Sequence, residues 1–167
     1  ATGQSECDKC EPGKFADSEG KTSCSECGAG SVQPNNASTA CDLCERGTYQ
    51  SGTGESRCEN CVAGTYTDTE GSSSCEACQG GAFSAASAVK CSMCRVGTYS
   101  STSASYCSNC SVGTYADTPG TATCTSCSSG HSQPREGQTA CEKCATGRSQ
   151  SATGQSECDK CEPGKFG

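Results

Sequence analysis

Cysteine is the residue type in this sequence that offers the widest range of possible chemistry. The chain has 167 residues, of which 20 are cysteines. Every cysteine belongs to a C-x-x-C pair, and the pairs lie at 7/10, 24/27, 41/44, 58/61, 75/78, 91/94, 107/110, 124/127, 141/144 and 158/161. Cysteines at this density form disulfides or bind zinc. A redox C-x-x-C pair needs a βαβ setting, and ten copies without one do not indicate a redox enzyme.

Zinc binding is the alternative to disulfides. The spacing C-x2-C-x13-C-x2-C resembles a four-thiolate ribbon, and the 20 cysteines could supply five such sites. However, odd and even pairs show no alternation, and the sequence lacks the basic patches and helical patterns of zinc modules. The single histidine, His131, stands where other units have Lys, Thr or Ala. The sequence therefore favours disulfides, and with them an oxidising, extracellular environment.

Large apolar residues are too few to build an ordinary core. Leu43 and Met93 are the only residues of their types, Val occurs five times, and Ile and Trp do not occur. Since ordering the chain costs more than this inventory can offset, covalent cross-links or metal must hold it together. No run of about 20 apolar residues predicts a membrane span. The net charge of −7, with scattered basic residues, argues against a nucleic-acid partner.

The elements that position the cysteines repeat with them. The unit reads C-x-x-C-x-x-G-x-[YF]-x4-G-x3, with a spacing of 16 or 17 residues. The first glycine predicts a turn with positive φ. We expect the aromatic to cover the neighbouring disulfide, and the structural aromatics are Phe15, Tyr49, Tyr66, Phe83, Tyr99, Tyr115 and Phe166. In three units the aromatic is replaced, by Val32, Ser132 and Ser149. We expect the units with Ser132 and Ser149 to be the least stable.

These units predict the fold class. We expect a small disulfide-rich protein, an extended solenoid rod of units of about 17 residues. Its units should contain short β-segments and turns, with no substantial helix.

A longer repeat overlies the short one. Residues 152–166 are identical to residues 1–15, at an offset of 151 residues. This predicts a tandem array of 151-residue blocks, although a duplicated tail in a short protein remains the alternative. Within a block the units fall into triplets. The predicted divisions are the end of a preceding repeat (1–6), three triplets (7–57, 58–106 and 107–157) and the start of the next block (158–167).

Two families of cysteine-rich repeats resemble this sequence. The segment C-E-P-G-K-F at 10–15 resembles the first loop module of tumour necrosis factor receptor cysteine-rich domains. The repeated C-x-x-G-T-Y at 44–49, 61–66, 94–99 and 110–115 is more similar to the ephrin-receptor-like repeats of extracellular proteins. The chain repeats this module alone, without the second module type with which receptors alternate.

The resemblance implies a disulfide pairing. In that family, the loop that follows each C-x-x-C pair is closed by its own two cysteines, which leaves Cys7 and Cys161 unpaired within this sequence. The implied pairs are Cys10–Cys24, Cys27–Cys41, Cys44–Cys58, Cys61–Cys75, Cys78–Cys91, Cys94–Cys107, Cys110–Cys124, Cys127–Cys141 and Cys144–Cys158.

Other polar residues suggest modification or metal binding. Asn36 and Asn109 begin N-x-[ST] sequons, so we expect them to be glycosylation sites. Asp17, Asp68 and Asp117 recur at one position of the triplet and could suggest calcium, but D-[ST]-x-G is first of all a turn sequence. We expect no cofactor, and favour neither zinc nor calcium.

The sequence predicts no enzyme, because it contains no nucleophile elbow, phosphate loop or paired carboxylates. It predicts a structural protein instead, because near-identical units repeat in tandem. The favoured hypothesis is an extracellular, secreted or cell-surface rod that forms a filament, surface appendage or coat. Its partners would be further copies of the repeat, in the same chain or in neighbouring chains of a filament. The alternatives are a ligand-binding or adhesion receptor ectodomain stalk and a cysteine-rich surface antigen.

Overall fold

The computed structural model of the chain describes residues 9–18 and 21–165. The predictions for Cys7, Phe166 and residues 1–6 lie outside these ranges. Chain contacts divide the protein into two compact units. Unit 1 comprises Ala1–Glu76 with Ala86–Lys90, and unit 2 comprises Ala77–Ala85 with Cys91–Gly167. The division of the sequence into triplets remains a prediction.

The described residues form eighteen strands of two residues each and no helix. The strands are β1 Lys14–Phe15, β2 Ser25–Glu26, β3 Ser31–Val32, β4 Asp42–Leu43, β5 Thr48–Tyr49, β6 Glu59–Asn60, β7 Thr65–Tyr66, β8 Glu76–Ala77, β9 Ala82–Phe83, β10 Ser92–Met93, β11 Thr98–Tyr99, β12 Ser108–Asn109, β13 Thr114–Tyr115, β14 Thr125–Ser126, β15 His131–Ser132, β16 Glu142–Lys143, β17 Arg148–Ser149 and β18 Asp159–Lys160. The prediction of a small disulfide-rich repeat structure with short β-segments and no helix is confirmed.

Each odd-numbered strand pairs with the strand that follows it in the chain. In the hairpin of β5 and β6 the pairing is antiparallel, with Tyr49 opposite Glu59. The first strand of each hairpin follows a glycine turn, and the second lies between the two cysteines of the next C-x-x-C pair. The amide of Cys61 extends this hairpin by donating to the carbonyl oxygen of Gly47 at 3.0 Å. The period of the cysteines is therefore also the period of the hairpins.

Nine disulfides close the hairpins into loops. They join the same nine cysteine pairs that the family resemblance implies, each across a Cα–Cα distance of 5.7 Å. The two cysteines of each bridge are 13 or 14 positions apart in the sequence. Of the described cysteines, Cys161 alone is free, and it is half-buried.

The cysteines that open the loops are the main apolar groups of the interior. Seven of these, from Cys27 to Cys127, have no exposed surface, whereas the cysteines that close most loops are half-buried. The larger apolar side chains are mostly outside, since Leu43 is 62% exposed and Met93 is 74% exposed. Sulfur therefore occupies the place that aliphatic side chains fill in an ordinary core, as the composition predicts.

Removing one disulfide tests how much it stabilises its loop. Replacing Cys44 and Cys58 together by Ser should lower the free energy of unfolding by about 3 kcal/mol, because the opened loop regains its freedom in the unfolded chain. Urea unfolding followed by tyrosine fluorescence measures the loss. Cys161→Ser is the control and should change stability little, since this cysteine closes no loop. Equal effects of the two changes would contradict this account.

Candidate functional site

The recurring feature that could carry function is the contact between successive loops. We define a loop as the chain from the second cysteine of one pair to the first cysteine of the next. Loops 1 to 9 comprise residues 10–24, 27–41, 44–58, 61–75, 78–91, 94–107, 110–124, 127–141 and 144–158. Each loop contains a tight turn after its opening cysteine, which we call the first turn, and loops 2 to 9 contain another, which we call the second turn.

The first turn follows the opening cysteine. In loop 1 the amide of Lys14 donates to the carbonyl oxygen of Glu11 at 3.1 Å, and Gly13 between them has a φ of 83°. A turn with positive φ at its third residue selects glycine, because a side chain there meets its own backbone. All ten glycines at this position have positive φ, so the sequence prediction is confirmed.

The second turn binds the preceding loop. The amide of Gly54 in loop 3 donates to the carbonyl oxygen of Cys27, the opening cysteine of loop 2, at 2.8 Å. The same bond recurs with donors Ala37, Gly71, Ser87, Ser103, Gly120, Gly137 and Gly154. Every donor has positive φ, including the three that are not glycine. The second glycine of the sequence motif thus marks a conformation that Ala37, Ser87 and Ser103 adopt as well. Gly20, at the equivalent place in loop 1, lies outside the described residues.

Two further backbone hydrogen bonds join neighbouring loops within each compact unit. The amide of Gly30 donates to the carbonyl oxygen of Gln50 at 2.7 Å, and the amide of Gln33 donates to that of Glu55 at 3.1 Å. Equivalent bonds recur in both compact units. We call these two bonds, together with the one from the second turn, the docking bonds. Because all three join backbone groups, they accept almost any side chain at the positions between them.

Six of the first turns, three in each compact unit, also lie against a second turn two loops further along. In unit 1, a Cβ added to Gly13, Gly30 or Gly47 would collide with the carbonyl oxygen of Gly54, Gly71 or Ser87, respectively. In unit 2, the equivalent pairs are Gly81 with Gly120, Gly97 with Gly137 and Gly113 with Gly154. The first glycine is therefore required for two reasons, its own φ and the backbone of another loop. The sequence pattern showed only the first reason.

The aromatic side chains lie beside this docking network. Phe15, Tyr49, Tyr66, Phe83, Tyr99 and Tyr115 are half-buried, each on the first strand of its hairpin. That the rings cover neighbouring disulfides stays a prediction.

Two of the tyrosines are bonded to carboxylates across their hairpins. The hydroxyl of Tyr49 donates to Glu59 Oε2, and that of Tyr66 to Glu76 Oε2, each at 3.0 Å. These hydrogen bonds and the nearby negative charge raise the pKa of both tyrosines. A raised pKa means that the bonds stabilise the fold at neutral pH and are lost as the pH rises through the raised pKa.

A buried glutamine is a structural residue that the sequence motif missed. The side chain of Gln133 is 2% exposed. Its Nε2 donates to the carbonyl oxygen of Ala140 at 2.7 Å, and its Oε1 accepts from the amide of Arg135 at 3.1 Å. Gln33, Gln50 and Gln150 make the same pair of bonds within their own loops.

We call this pair of side-chain hydrogen bonds the glutamine clamp. The repeats that have it follow a pattern along the chain. The three units that lack the aromatic, with Val32, Ser132 and Ser149 in its place, all have glutamine at the next position. The third sequence repeat has both the aromatic and the glutamine. The signal that could have revealed the clamp is this Gln, which recurs directly after the position of the aromatic. The clamp supplies internal bonds to the loops for which the sequence predicts the least stability.

The candidate modification and metal sites lie on the surface. Asn36 and Asn109 are both exposed, and their glycosylation remains a prediction. Asp17 pairs with the Lys21 ammonium at 2.7 Å and accepts from the Ser18 hydroxyl at 3.0 Å, which lowers the pKa of its carboxyl. Asp68 accepts from the Thr69 hydroxyl at 3.1 Å, and Asp117 is exposed. Among the described side chains, no three His, Cys, Asp or Glu residues converge on a common point that could hold a metal ion.

The loops and their docking match one family of extracellular repeats. The chain matches the family described as tyrosine-protein kinase ephrin type A/B receptor-like, at residues 1–40, 30–78, 81–122, 97–137 and 113–161. The chain belongs to this family. No curated protein matches it. The disulfides of this ephrin-receptor-like chain, together with its family, indicate an extracellular or cell-surface ectodomain. Among the residues that the structure describes, there is no helix of the length and apolarity needed to cross a bilayer.

Substitution of a first-turn glycine tests the contact between loops two apart. Gly30→Ala should lower the free energy of unfolding by roughly 1–3 kcal/mol, because the methyl group strains a positive φ and collides with the Gly71 carbonyl. Thermal unfolding measures the change. Gly28→Ala is the matched control in the same turn, where a Cβ would meet nothing within 4 Å. The account of the contact is wrong if Gly28→Ala is as costly as Gly30→Ala.

Replacing Gln133 tests whether the glutamine clamp stabilises its loop. Gln133→Ala should lower stability by about 1–3 kcal/mol, because the Arg135 amide and the Ala140 carbonyl lose their partners inside the loop. Hydrogen exchange should show faster exchange of the Arg135 amide. The exposed Gln155, whose side chain bonds only to Thr153 within its own turn, supplies the control Gln155→Ala. An unchanged exchange rate at Arg135 in the Gln133 variant would refute the clamp.

Proposed function

We propose that this chain is a length-setting structural segment of an extracellular filament, surface appendage or coat. The observation that carries the proposal is the recurrence of the docking bonds at one loop after another within each compact unit. Because these bonds use backbone groups, a unit of any surface sequence can be added at the same cost. Such a design supports length and regularity, while leaving the exposed side chains free to vary.

The sequence supports the same proposal at a larger scale. Residues 152–166 restate residues 1–15, so the start of the block returns after 151 residues. A surface that recognises one partner needs particular residues on particular modules, and exact restatement does not provide such differences. The partners in this proposal are further copies of the repeat, in the same chain and in neighbouring chains of a filament.

The proposal includes no catalytic step and no cofactor. His131, the single histidine of the sequence, has its Nδ1 3.2 Å from both the Ser128 hydroxyl and the Ser129 carbonyl oxygen, so it belongs to the first turn of loop 8. Glycans on Asn36 and Asn109 would add to the exposed surface of the repeat. Both asparagines are exposed.

A receptor or adhesion stalk is the second candidate. Membership of the ephrin-receptor-like family favours it, since the family is named for cell-surface receptors. In a stalk the same loops would hold a binding domain away from the membrane. The two candidates differ in what surrounds the chain, because a filament contains many blocks in register and a stalk contains few.

Immunoelectron microscopy of the native material separates the two candidates. With antibodies against residues 44–75, we expect label along fibres or a coat, at a constant interval set by the 151-residue block. Pre-immune antibody is the control for background label. Label confined to a single layer at the membrane, without fibres, would contradict the filament and support the stalk.

A further inference from the structure

A cleft of about 760 Å³ lies on unit 2, between loops 8 and 9. Its lining includes the first-turn glycines of both loops, Gly130 and Gly147, together with Gln150. These two glycines have φ values of 76° and 79°, the same as first-turn glycines elsewhere in the chain. A Cβ added to either would meet nothing within 4 Å, whereas the equivalent glycines of loops 5 to 7 meet the second turn of another loop. The cleft therefore has the geometry of a docking position that the described residues do not fill.

The register of the docked loops defines what would fill the cleft. Gly113 lies against Gly154, which follows it by 41 residues, and Gly13 lies against Gly54 at the same distance. Counting 41 residues on from Gly147 and subtracting the 151-residue offset leads to position 37, which is Ala37. Ala37 has the required positive φ of 57°, and its amide makes the bond to an opening cysteine. The same count from Gly130 leads to position 20, which is a glycine in the sequence.

We propose that this cleft binds the second turns of the first two loops of a following copy of the block. The contact is between backbones, since a carbonyl oxygen of each incoming turn would lie over a first-turn glycine. The occupant would also supply partners that two groups of loop 9 do not have among the described residues. The Cys144 carbonyl would accept from the incoming turn, as the Cys127 carbonyl accepts from Gly154 at 2.8 Å. The Gln150 amide would donate to the same turn, as the Gln133 amide donates to Gln155 at 3.1 Å.

The sequence at the junction agrees with this register. Cys161 is the described cysteine that closes no loop, and it is equivalent to Cys10 by the 151-residue offset. Because Cys10 pairs with Cys24, a following copy would offer its own Cys24 to Cys161. This inference rests on the proposed tandem array for the presence of its occupant, but it concerns a specific site and can fail separately.

The test compares the chain with an extended chain in which a copy of residues 17–43 follows Gly167. Non-reducing peptide mapping first establishes that Cys161 pairs with the added copy of Cys24. The extension should then slow hydrogen exchange of the Gln150 amide by roughly tenfold or more. It should also make Gly147→Ala more destabilising than in the original chain, because the new methyl group then faces a filled cleft.

Gly113→Ala is the matched control. Gly113 has a φ of 77°, and the carbonyl oxygen of Gly154, which its new methyl group would meet, is present in both chains. Its melting-temperature shift should therefore be the same in both chains. Unchanged exchange at Gln150, or an equal effect of Gly147→Ala in the two chains, would overturn the docking site. Neither result depends on whether the native material forms filaments, which microscopy decides.

Discussion

The disulfide that closes each loop is the constraint on which the rest of this structure depends. A chain with so few large apolar residues cannot offset the entropy of ordering by burial alone. Each bridge removes freedom from the unfolded chain and also places an opening cysteine in the interior, where seven of them have no exposed surface. The same group thus acts as cross-link and as core. With the loop closed, its short strands and turns can hold their geometry without a large hydrophobic face.

Closed loops would still be independent of one another without the docking turns. The positive φ of the second turn directs its amide towards the Cys carbonyl of the preceding loop, and the first-turn glycine leaves space for a carbonyl oxygen from two loops away. Both contacts are between backbones, so the side chains are free for other work. Some of them, such as Gln133 and Tyr66, reinforce their own loop. Most of the remaining polar side chains face solvent, where a filament or a stalk would present them.

Sequence can vary between repeats because backbone groups make the docking contacts and side chains do not. A glutamine directly after the aromatic position stabilises its own loop by two hydrogen bonds, and an aromatic at that position on the first strand is expected to do so by apolar contact. Loops with Val32, Ser132 or Ser149 have the glutamine in place of the ring. Since neither solution alters the docking bonds, both can occur in one array. This is the behaviour expected of a repeat whose units are interchangeable in length and geometry.

The sequence by itself determined the period, the lack of helix, the reliance on disulfides and the positive φ of the first turn. These follow from local chemistry, because cysteine spacing and a glycine at a fixed place in a turn act within one unit. The family resemblance added the pairing of the cysteines. Only the tertiary structure decided that Gly13 needs its missing side chain for Gly54, that Ala37, Ser87 and Ser103 adopt positive φ, and that Gln133 is buried. The glycine contact and the positive φ values arise where backbones from different loops meet, whereas the burial of Gln133 depends on how its own loop folds around the side chain. Backbone groups are the same in every residue, so a contact between them leaves little trace in the sequence until the loops are docked.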